Sequence, residues 1–187
     1  MKKRMYLLVI VPFILTGCME EAPTKMDVEM FNVNGDSLGT ISVSEQAEGV
    51  KLEVMLEGLP PGEHGLAIHE KGSCEAPDFK SAGNHFNPDA KKHGLLHPEG
   101  AHAGDLPNII SDGGMVEAEL VAPQLTMLKG QKNSLLPPDG TSIIITEGKD
   151  DGMTQPSGDS GPRIACGEIT EKEAKREDKK EVQPEEE

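Results

Sequence analysis

Apolar and polar residues alternate with a period of two along several short segments of this chain, the pattern of a strand with one buried face. The clearest segment runs from Val50 to Leu56 and reads Val-Lys-Leu-Glu-Val-Met-Leu. Further strands are predicted at 28–33, 38–43, 65–69, 106–110, 115–121, 142–146 and 163–169. Asn34-Gly35 and Asp112-Gly113-Gly114 predict the turns of two hairpins. Because no convincing helical period or internal repeat is present, the pattern predicts an antiparallel β-sandwich or barrel.

A long stretch at 70–105 has no period and is rich in Gly, Pro and Asn, which is unusual in a compact domain unless the loop is functional. It carries His85, His93, His102 and Asp105. Their spacing suits neither a helix nor a strand, but a folded loop could gather them. Three imidazoles and one carboxylate form a closed tetrahedral set, the chemistry of a structural zinc site. The alternative is scattered polar loop residues, but the clustering of histidine within 85–102 favours zinc.

The first residues have the pattern of an export signal. Lys2, Lys3 and Arg4 precede an apolar run at 5–15, which is too short to span a bilayer. The run ends in Leu-Thr-Gly-Cys, similar to a bacterial lipobox. We therefore predict that 1–17 is a lipoprotein signal peptide. Cys18 is then lipidated and holds the protein on the extracytoplasmic face of the cell membrane. The alternative is an ordinary signal peptide with an incidental cysteine.

The remaining chain divides into three parts. Residues 18–25 are predicted to be the lipidated cysteine and a tether, 26–170 the folded domain, and 171–187 a charged, disordered tail with almost nothing to bury. With 3% aromatic residues and no tryptophan, the core is predicted to consist of Val, Ile, Leu and Met. The formal net charge of −15 argues against nucleic acid or an anionic membrane surface as a partner, so the lipid is the expected membrane contact.

The cysteine count favours one disulfide. Once Cys18 is assigned to lipid, Cys74 and Cys166 remain as an even pair in an exported protein. The alternative, two buried free thiols, is less common outside the cytoplasm.

Five motifs, taken in order, resemble those of copper/zinc superoxide dismutases. They are HGLAIHEKGSC at 64–74, SAGNHFNP at 81–88, KHG at 92–94, HAGDLPN at 102–108 and GPRIACG at 161–167. The resemblance covers about 26–170 and implies an all-β fold, an eight-stranded antiparallel Greek-key β-barrel with a long zinc-binding loop. It also implies a disulfide from that loop to the last strand, here Cys74–Cys166.

The resemblance assigns roles to several side chains. The zinc ligands of the family match His85, His93, His102 and Asp105. Asp150 matches an aspartate that connects zinc-site and copper-site histidines. His64 matches a buried histidine that braces the loops, and Arg163 matches an arginine that draws superoxide to copper. For Arg163 the alternative is a structural donor to loop carbonyls.

The copper site departs from the family pattern. The family holds copper with four histidines, and Ala67 and Thr146 occupy two of those positions here. His69 and His85 remain. Alanine offers no donor atom, and a threonine hydroxyl is a poor copper ligand beside imidazole. Spacing alone does not decide whether His97 or His64 substitutes, so copper is in doubt as a cofactor and zinc is not.

Two functions follow. The first is a superoxide dismutase-like surface lipoprotein with an intact zinc site and weak or no dismutase activity. The alternative is an active Cu/Zn superoxide dismutase with a rearranged copper site, which converts two superoxide and two protons to oxygen and hydrogen peroxide, with Arg163 as the catalytic residue. Superoxide is then the partner, and a homodimer is possible because family members often form one.

Overall fold

The computed structural model describes residues 24–173. The predicted signal peptide, Cys18, nearly all of the predicted tether and the tail from 174 onwards lie outside the described residues. These described residues form nine strands: β1 Lys25–Asn32, β2 Ser37–Gln46, β3 Gly49–Glu57, β4 Gly62–His64, β5 Leu66–His69, β6 Ile109–Ser111, β7 Met115–Ala122, β8 Thr141–Thr146 and β9 Arg163–Ile169. A single 3-10 turn, Lys80–Ala82, interrupts the long loop. In the described part of the chain no helix has the length and apolar character needed to cross a bilayer.

The strands close into a barrel. Seven of them form an antiparallel sheet in the order β5-β8-β9-β1-β2-β3-β7, and β4 pairs with β6. Only Gly65 separates β4 from β5, and a hairpin closed by Asp112 and Met115 joins β6 to β7. The β4–β6 pair therefore connects the two edges of the larger sheet. When β4 and β5 are counted as one interrupted strand, the eight-stranded Greek-key barrel implied by the family resemblance is confirmed.

The barrel interior is filled by the inward-facing residues of the alternating strands. In β1 the buried side chains are Met26, Val28 and Met30, while Asp27 and Glu29 between them are exposed. In β3 the buried side chains are Val50, Leu52, Val54 and Leu56. The predicted core of Val, Ile, Leu and Met is confirmed. The alternation in β1 begins two residues before the predicted start, because Met26 belongs to the same buried row.

The predicted hairpin at Asn34-Gly35 joins β1 to β2. Asn32 closes it, because its Oδ1 accepts the backbone N–H groups of Asn34 at 2.9 Å and Asp36 at 3.0 Å. Gly35 has a φ of +85°, a left-handed conformation that glycine adopts without strain.

The disulfide Cys74–Cys166 is formed and confirms the cysteine prediction. It ties the long loop to β9 at the outer surface of the barrel. Phe79 and Ala82 from the loop pack there against Ile144 and Cys166, which makes a second, smaller apolar cluster. The disulfide and these apolar contacts therefore attach the loop to the barrel independently of any metal.

Removing the disulfide is expected to destabilise the domain by about 4–5 kcal/mol in the chain-entropy model, because the bond closes a sequence separation of 92 residues. Cys74→Ala with Cys166→Ala avoids placing an unpaired hydroxyl in the buried cluster. Denaturant unfolding of the double variant and the wild type, both saturated with zinc, measures the difference. An unchanged unfolding midpoint would contradict the prediction.

Candidate metal centre

Four buried side chains of the long loop converge on one point. The Oδ1 atom of Asp105 lies 2.7 Å from Nδ1 of His85, 3.1 Å from Nδ1 of His93 and 3.2 Å from Nδ1 of His102. A zinc ion bound at about 2.0–2.1 Å by four tetrahedral ligands keeps those ligand atoms about 3.3 Å apart. Within the described residues the buried Nδ1 of His102 makes no well-aligned hydrogen bond, although Asp105 is near, and a metal would satisfy such an atom. The group therefore fits zinc.

The backbone of the loop aims the carboxylate. Oδ2 of Asp105 accepts the N–H of Gly94 at 2.8 Å and the N–H of His102 at 2.9 Å, so Oδ1 faces the three imidazoles. Gly94 has a φ of +110°, and a Cβ there would lie 2.0 Å from the carbonyl oxygen of Gly152. Only glycine can bring this N–H to the carboxylate.

The electrostatics of the group keep it in the metal-binding protonation state. Burial acts to raise the pKa of Asp105, but hydrogen bonds from His85 and the Gly94 N–H outweigh it and the pKa is lowered to about 2. Burial is also the main cause of a lowered pKa for His102. At neutral pH the carboxylate is charged and this imidazole is neutral, as zinc ligands must be.

His93 is held from its far side by Asp150. Its Nε2 lies 3.0 Å from Oδ1 of Asp150. Asn108 fixes the backbone of that aspartate, since its Oδ1 accepts the Asp150 N–H at 3.0 Å and its Nδ2 donates to the Asp150 carbonyl at 2.8 Å. Metal-binding histidines commonly donate their other N–H to a carboxylate. Asp150 therefore makes the contact with a zinc-site histidine that the family resemblance implies, which is one half of the predicted connection.

A small cavity adjoins the zinc group. Its volume is about 10 Å³, close to the space of a single water molecule. His69, His85, Ala67 and Thr146 are among its lining residues. The rings of His69 and His85 meet edge to face with centroids 4.9 Å apart. These two rings supply the only imidazole nitrogens among the residues that line the cavity.

Ala67 and Thr146 add no comparable donor. The side chain of Ala67 is a methyl group. The Oγ1 of Thr146 donates to the carbonyl of Gly148 at 3.0 Å, so the hydroxyl is already used within its own turn. Ala67 and Thr146 therefore contribute no imidazole nitrogen to this cavity.

Arg163 braces the loop beside the cavity. Its guanidinium donates to the carbonyl of Phe79 at 2.6 Å and to the carbonyl of Gly83 at 2.7 Å. Nδ1 of His69 lies 3.0 Å from the same Gly83 oxygen. A carbonyl oxygen only accepts hydrogen bonds. The proton of the neutral His69 ring is therefore on Nδ1, and Nε2 has a free lone pair.

The two histidines considered as substitutes lie outside the zinc group. Both ring nitrogens of the buried His64 face carbonyl oxygens, Nδ1 that of Thr146 at 3.0 Å and Nε2 that of Pro60 at 2.7 Å. His64 thus connects the end of β8 to the turn that precedes β4. Nδ1 of His97 accepts the Glu99 N–H at 3.0 Å within a local turn.

His69 is expected to remain neutral well below the usual range of histidine. Burial, followed by the neighbouring charges of His85 and Arg163, lowers the pKa of His69 from 6.5 to about 3. The unfolded chain therefore binds this proton more readily, so the stability contribution is complete above pH 6.5 and is lost as pH falls towards 3. An NMR titration of the ring protons in the zinc-free protein checks this. A midpoint near the unperturbed value would contradict it.

Gln155 contacts the zinc group and was missed by the sequence analysis. Its side-chain amide pairs with the backbone of His93 in both directions, at 2.9 Å each. The two residues are 62 positions apart, so no local spacing marks the contact.

Comparison with known proteins adds the family. The model of the copper/zinc superoxide dismutase family matches residues 37–169. The chain belongs to that family. Superoxide dismutase [Cu-Zn] 2 of Aquifex aeolicus is 47% identical over 147 residues, which cover 78% of this chain and 86% of that protein. The superoxide dismutase-like protein YojM of Bacillus subtilis is 44% identical over 145 residues, 76% of this chain and 74% of that one.

Solved structures of the family share the fold. The crystal structure of a superoxide dismutase-like protein from Bacillus subtilis superposes with a TM-score of 0.75 at 43% identity, covering 77% of this chain and 97% of that chain. Cu/Zn superoxide dismutase from Brucella abortus gives a TM-score of 0.63 at 33% identity, covering 78% of this chain and 99% of that chain.

Proposed function

We propose that this protein is a zinc-binding, superoxide dismutase-like lipoprotein of the extracytoplasmic membrane face, with weak or no dismutase activity. The observation that carries the proposal is the cavity in which His69 and His85 meet Ala67 and Thr146. Two of the four positions where the family has copper-binding histidines carry no imidazole.

The chemistry of dismutation makes this loss decisive. The reaction cycles one copper ion between two oxidation states, so the ligands must hold both. Two imidazoles hold copper weakly and exchangeably compared with four. Zinc has no redox chemistry and cannot replace copper in the cycle. The residues here do not fit a catalytic copper, whereas the four-residue group beside them fits zinc.

The contacts of Arg163 are those of a structural donor to loop carbonyls. An arginine that draws in a small anion needs N–H groups directed at the substrate. Two N–H groups of this guanidinium are used on the carbonyls of Phe79 and Gly83, where they hold the loop against the barrel. These two bonds give Arg163 a structural role with or without copper, and the remaining N–H groups of its five leave the superoxide-steering role to the alternative function.

The location rests on the sequence. The lipobox-like residues ending in Cys18 supply the lipid anchor. The disulfide Cys74–Cys166 suits an oxidising compartment outside the cytoplasm.

The alternative, an active Cu/Zn superoxide dismutase with a rearranged copper site, has one observation in its favour. His69 presents an unprotonated Nε2, and its ring stands against that of His85. Two imidazoles of the copper site are therefore in place, and a third ligand from outside the cavity would be needed to hold the metal through its redox cycle.

Metal content and activity separate the two functions. After mild reconstitution with copper and zinc, the purified mature protein is expected to hold one zinc per chain without stoichiometric copper. Its superoxide turnover should be at least about 100-fold below that of a four-histidine relative assayed alongside, because the redox metal is absent. One copper per chain together with turnover near that of the relative would establish the alternative.

The anchor is tested separately. Cys18→Ser should move the protein from the membrane fraction to the soluble fraction of the host and remove the lipid mass from the mature chain. A wild-type chain found soluble, without added lipid mass, would disprove the lipoprotein assignment and leave the metal chemistry unaffected.

A further inference from the structure

We infer that Gln155 is a positioning residue of the zinc site, which clamps the main chain of His93 and makes the loop at 147–162 part of that site. The inference rests on the proposed zinc binding and deepens it. It assigns a role to a loop that provides none of the four ligands.

The amide of Gln155 is fully engaged. Oε1 accepts the N–H of His93 at 2.9 Å, and Nε2 donates to the His93 carbonyl at 2.9 Å. Nε2 also donates to the carbonyl of Met153 at 3.0 Å. A primary amide has two N–H donors, and both are used on carbonyls that can only accept. The orientation of the amide is therefore fixed, and it pairs with His93 as a neighbouring strand would.

The ligand that it holds is the most enclosed member of the zinc group. His93 is 0% exposed. Its ring is bonded on both sides, through Nδ1 to Asp105 and through Nε2 to Asp150. Asp150 fixes the ring and Gln155 fixes the backbone, and both belong to the same loop. His93 is thus positioned from 147–162 at two separate points.

The clamp also bears on the carboxylate ligand. Gly94, the residue after His93, donates its N–H to Oδ2 of Asp105. Leu96 donates its N–H to the Gly152 carbonyl at 3.1 Å, which fastens the same segment to the loop a second time. If the His93 backbone moves, the imidazole nitrogen and the N–H that aims Asp105 move together. Two of the four zinc ligands therefore depend on Gln155.

Loss of the clamp should weaken zinc binding more than it weakens the fold. Gln155 itself is exposed and contributes no core packing. Without zinc, the loop can relax around the missing hydrogen bonds. With zinc, tetrahedral geometry fixes His93, so the loss of the Gln155 hydrogen bonds destabilises the zinc-bound state. Removal of residues that orient metal ligands typically costs 10–100-fold in metal affinity.

The test compares Gln155→Leu with the wild type and with Gln124→Leu, all as full mature chains. Gln124 is an exposed glutamine in another loop, and its side-chain amide makes no hydrogen bond within the described residues. Zinc dissociation constants are measured by competition with a chromophoric chelator. We expect Gln155→Leu to raise the dissociation constant about 10-fold or more and Gln124→Leu to leave it unchanged. Cobalt-substituted Gln155→Leu should show shifted visible absorption bands, because the geometry at His93 changes.

Gln155→Glu is the second variant, and it carries the same comparison if Gln155→Leu does not fold. A carboxylate can accept the His93 N–H but cannot donate to the His93 carbonyl, so its affinity should lie between those of the wild type and Gln155→Leu. Wild-type zinc affinity in both variants would overturn the inference. So would an equal loss of melting temperature in zinc-loaded and chelated protein, since Gln155 would then be merely structural. A wild type that binds no zinc would be a failure of the proposed zinc site, and the wild-type titration alone reveals it.

Discussion

Asp105→Ala should abolish tight zinc binding and lower the melting temperature of the zinc-loaded protein by about 5–11 °C. Asp105 is the only anionic ligand of the group, and its Oδ1 is the atom on which three imidazole nitrogens converge. Loss of a ligand should cost at least about 100-fold in affinity, the upper end of what loss of an orienting residue costs. A factor of 100 corresponds to about 2.7 kcal/mol. In a domain of 150–250 residues, each kcal/mol shifts the melting temperature by about 2–4 °C.

Calorimetry of the wild type and Asp105→Ala, each with excess zinc and after exhaustive chelation, measures the effect. Asp112→Ala is the matched control, since Asp112 is an exposed aspartate in the β6–β7 hairpin. The zinc-dependent part of the stability should vanish in Asp105→Ala and persist in Asp112→Ala. If the chelated wild type is fully folded and as stable as the zinc-loaded wild type, the metal does not support the fold and the prediction fails.

The strands were predictable because their pattern is local. β9 was predicted at 163–169 and is observed as Arg163–Ile169. The prediction for β6 was less accurate. The apolar run predicted a strand at 106–110, but the observed strand is Ile109–Ser111. Leu106 is buried next to the zinc group, and the side chain of Asn108 is bonded to Asp150. Apolar residues close to a site satisfy the alternation without joining a sheet, which periodicity alone does not reveal.

The zinc group was predictable from residue type rather than from spacing. Nothing in the chain separations of His85, His93, His102 and Asp105 gives their distances, but three imidazoles and a carboxylate in one loop suit a single kind of ion. The fold brings all four together. The Gln155 contact has no such chemical signature, because glutamine is a common loop residue and its partner is backbone. Residue type identifies the ligands in the sequence, whereas the contacts that position those ligands form only when the loops fold.

The lining of the small cavity was only partly predictable from the sequence. The family resemblance implies that Ala67 and Thr146 stand where the family has histidines, but it could not show what surrounds them. In the fold, Ala67 and His69 are two residues apart on β5, so their side chains share one face. On β8 the register shifts between Ile145 and Thr146, so alternation does not place Thr146, but Ile144 and Thr146 line the cavity together with Ala67 and His69. The positions needed for two more imidazoles are therefore directed at the right space.

Ala67→His combined with Thr146→His is expected to bind one copper per chain and to raise superoxide turnover at least about 100-fold above the wild type, because a redox metal is then held through both oxidation states. His69 supports this, since its lowered pKa keeps it neutral and Nε2 carries a free lone pair. Asp150 borders the cavity and can accept an N–H from the ring at position 67. Each single variant supplies only three imidazoles and should gain much less.

The substitutions should carry a cost before copper is added. The cavity holds about 10 Å³, so two imidazole rings must displace the neighbouring loop. Such overpacking typically costs about 1–3 kcal/mol. The metal-free double variant should therefore melt below the wild type and recover when copper binds. Zinc content should stay at one per chain, because neither position belongs to the zinc group.

Copper stoichiometry, the paramagnetic resonance spectrum of the bound ion and superoxide turnover are measured together. His69→Ala in the double variant is the control, and it should lose copper and activity while retaining zinc. The wild-type protein provides the result that would contradict this prediction. If the wild type binds one copper per chain and turns over superoxide near the rate of a four-histidine relative, another side chain completes the site. His97 would then be the first to examine, because both nitrogens of His64 already face carbonyl oxygens, whereas the His97 ring accepts a hydrogen bond at Nδ1.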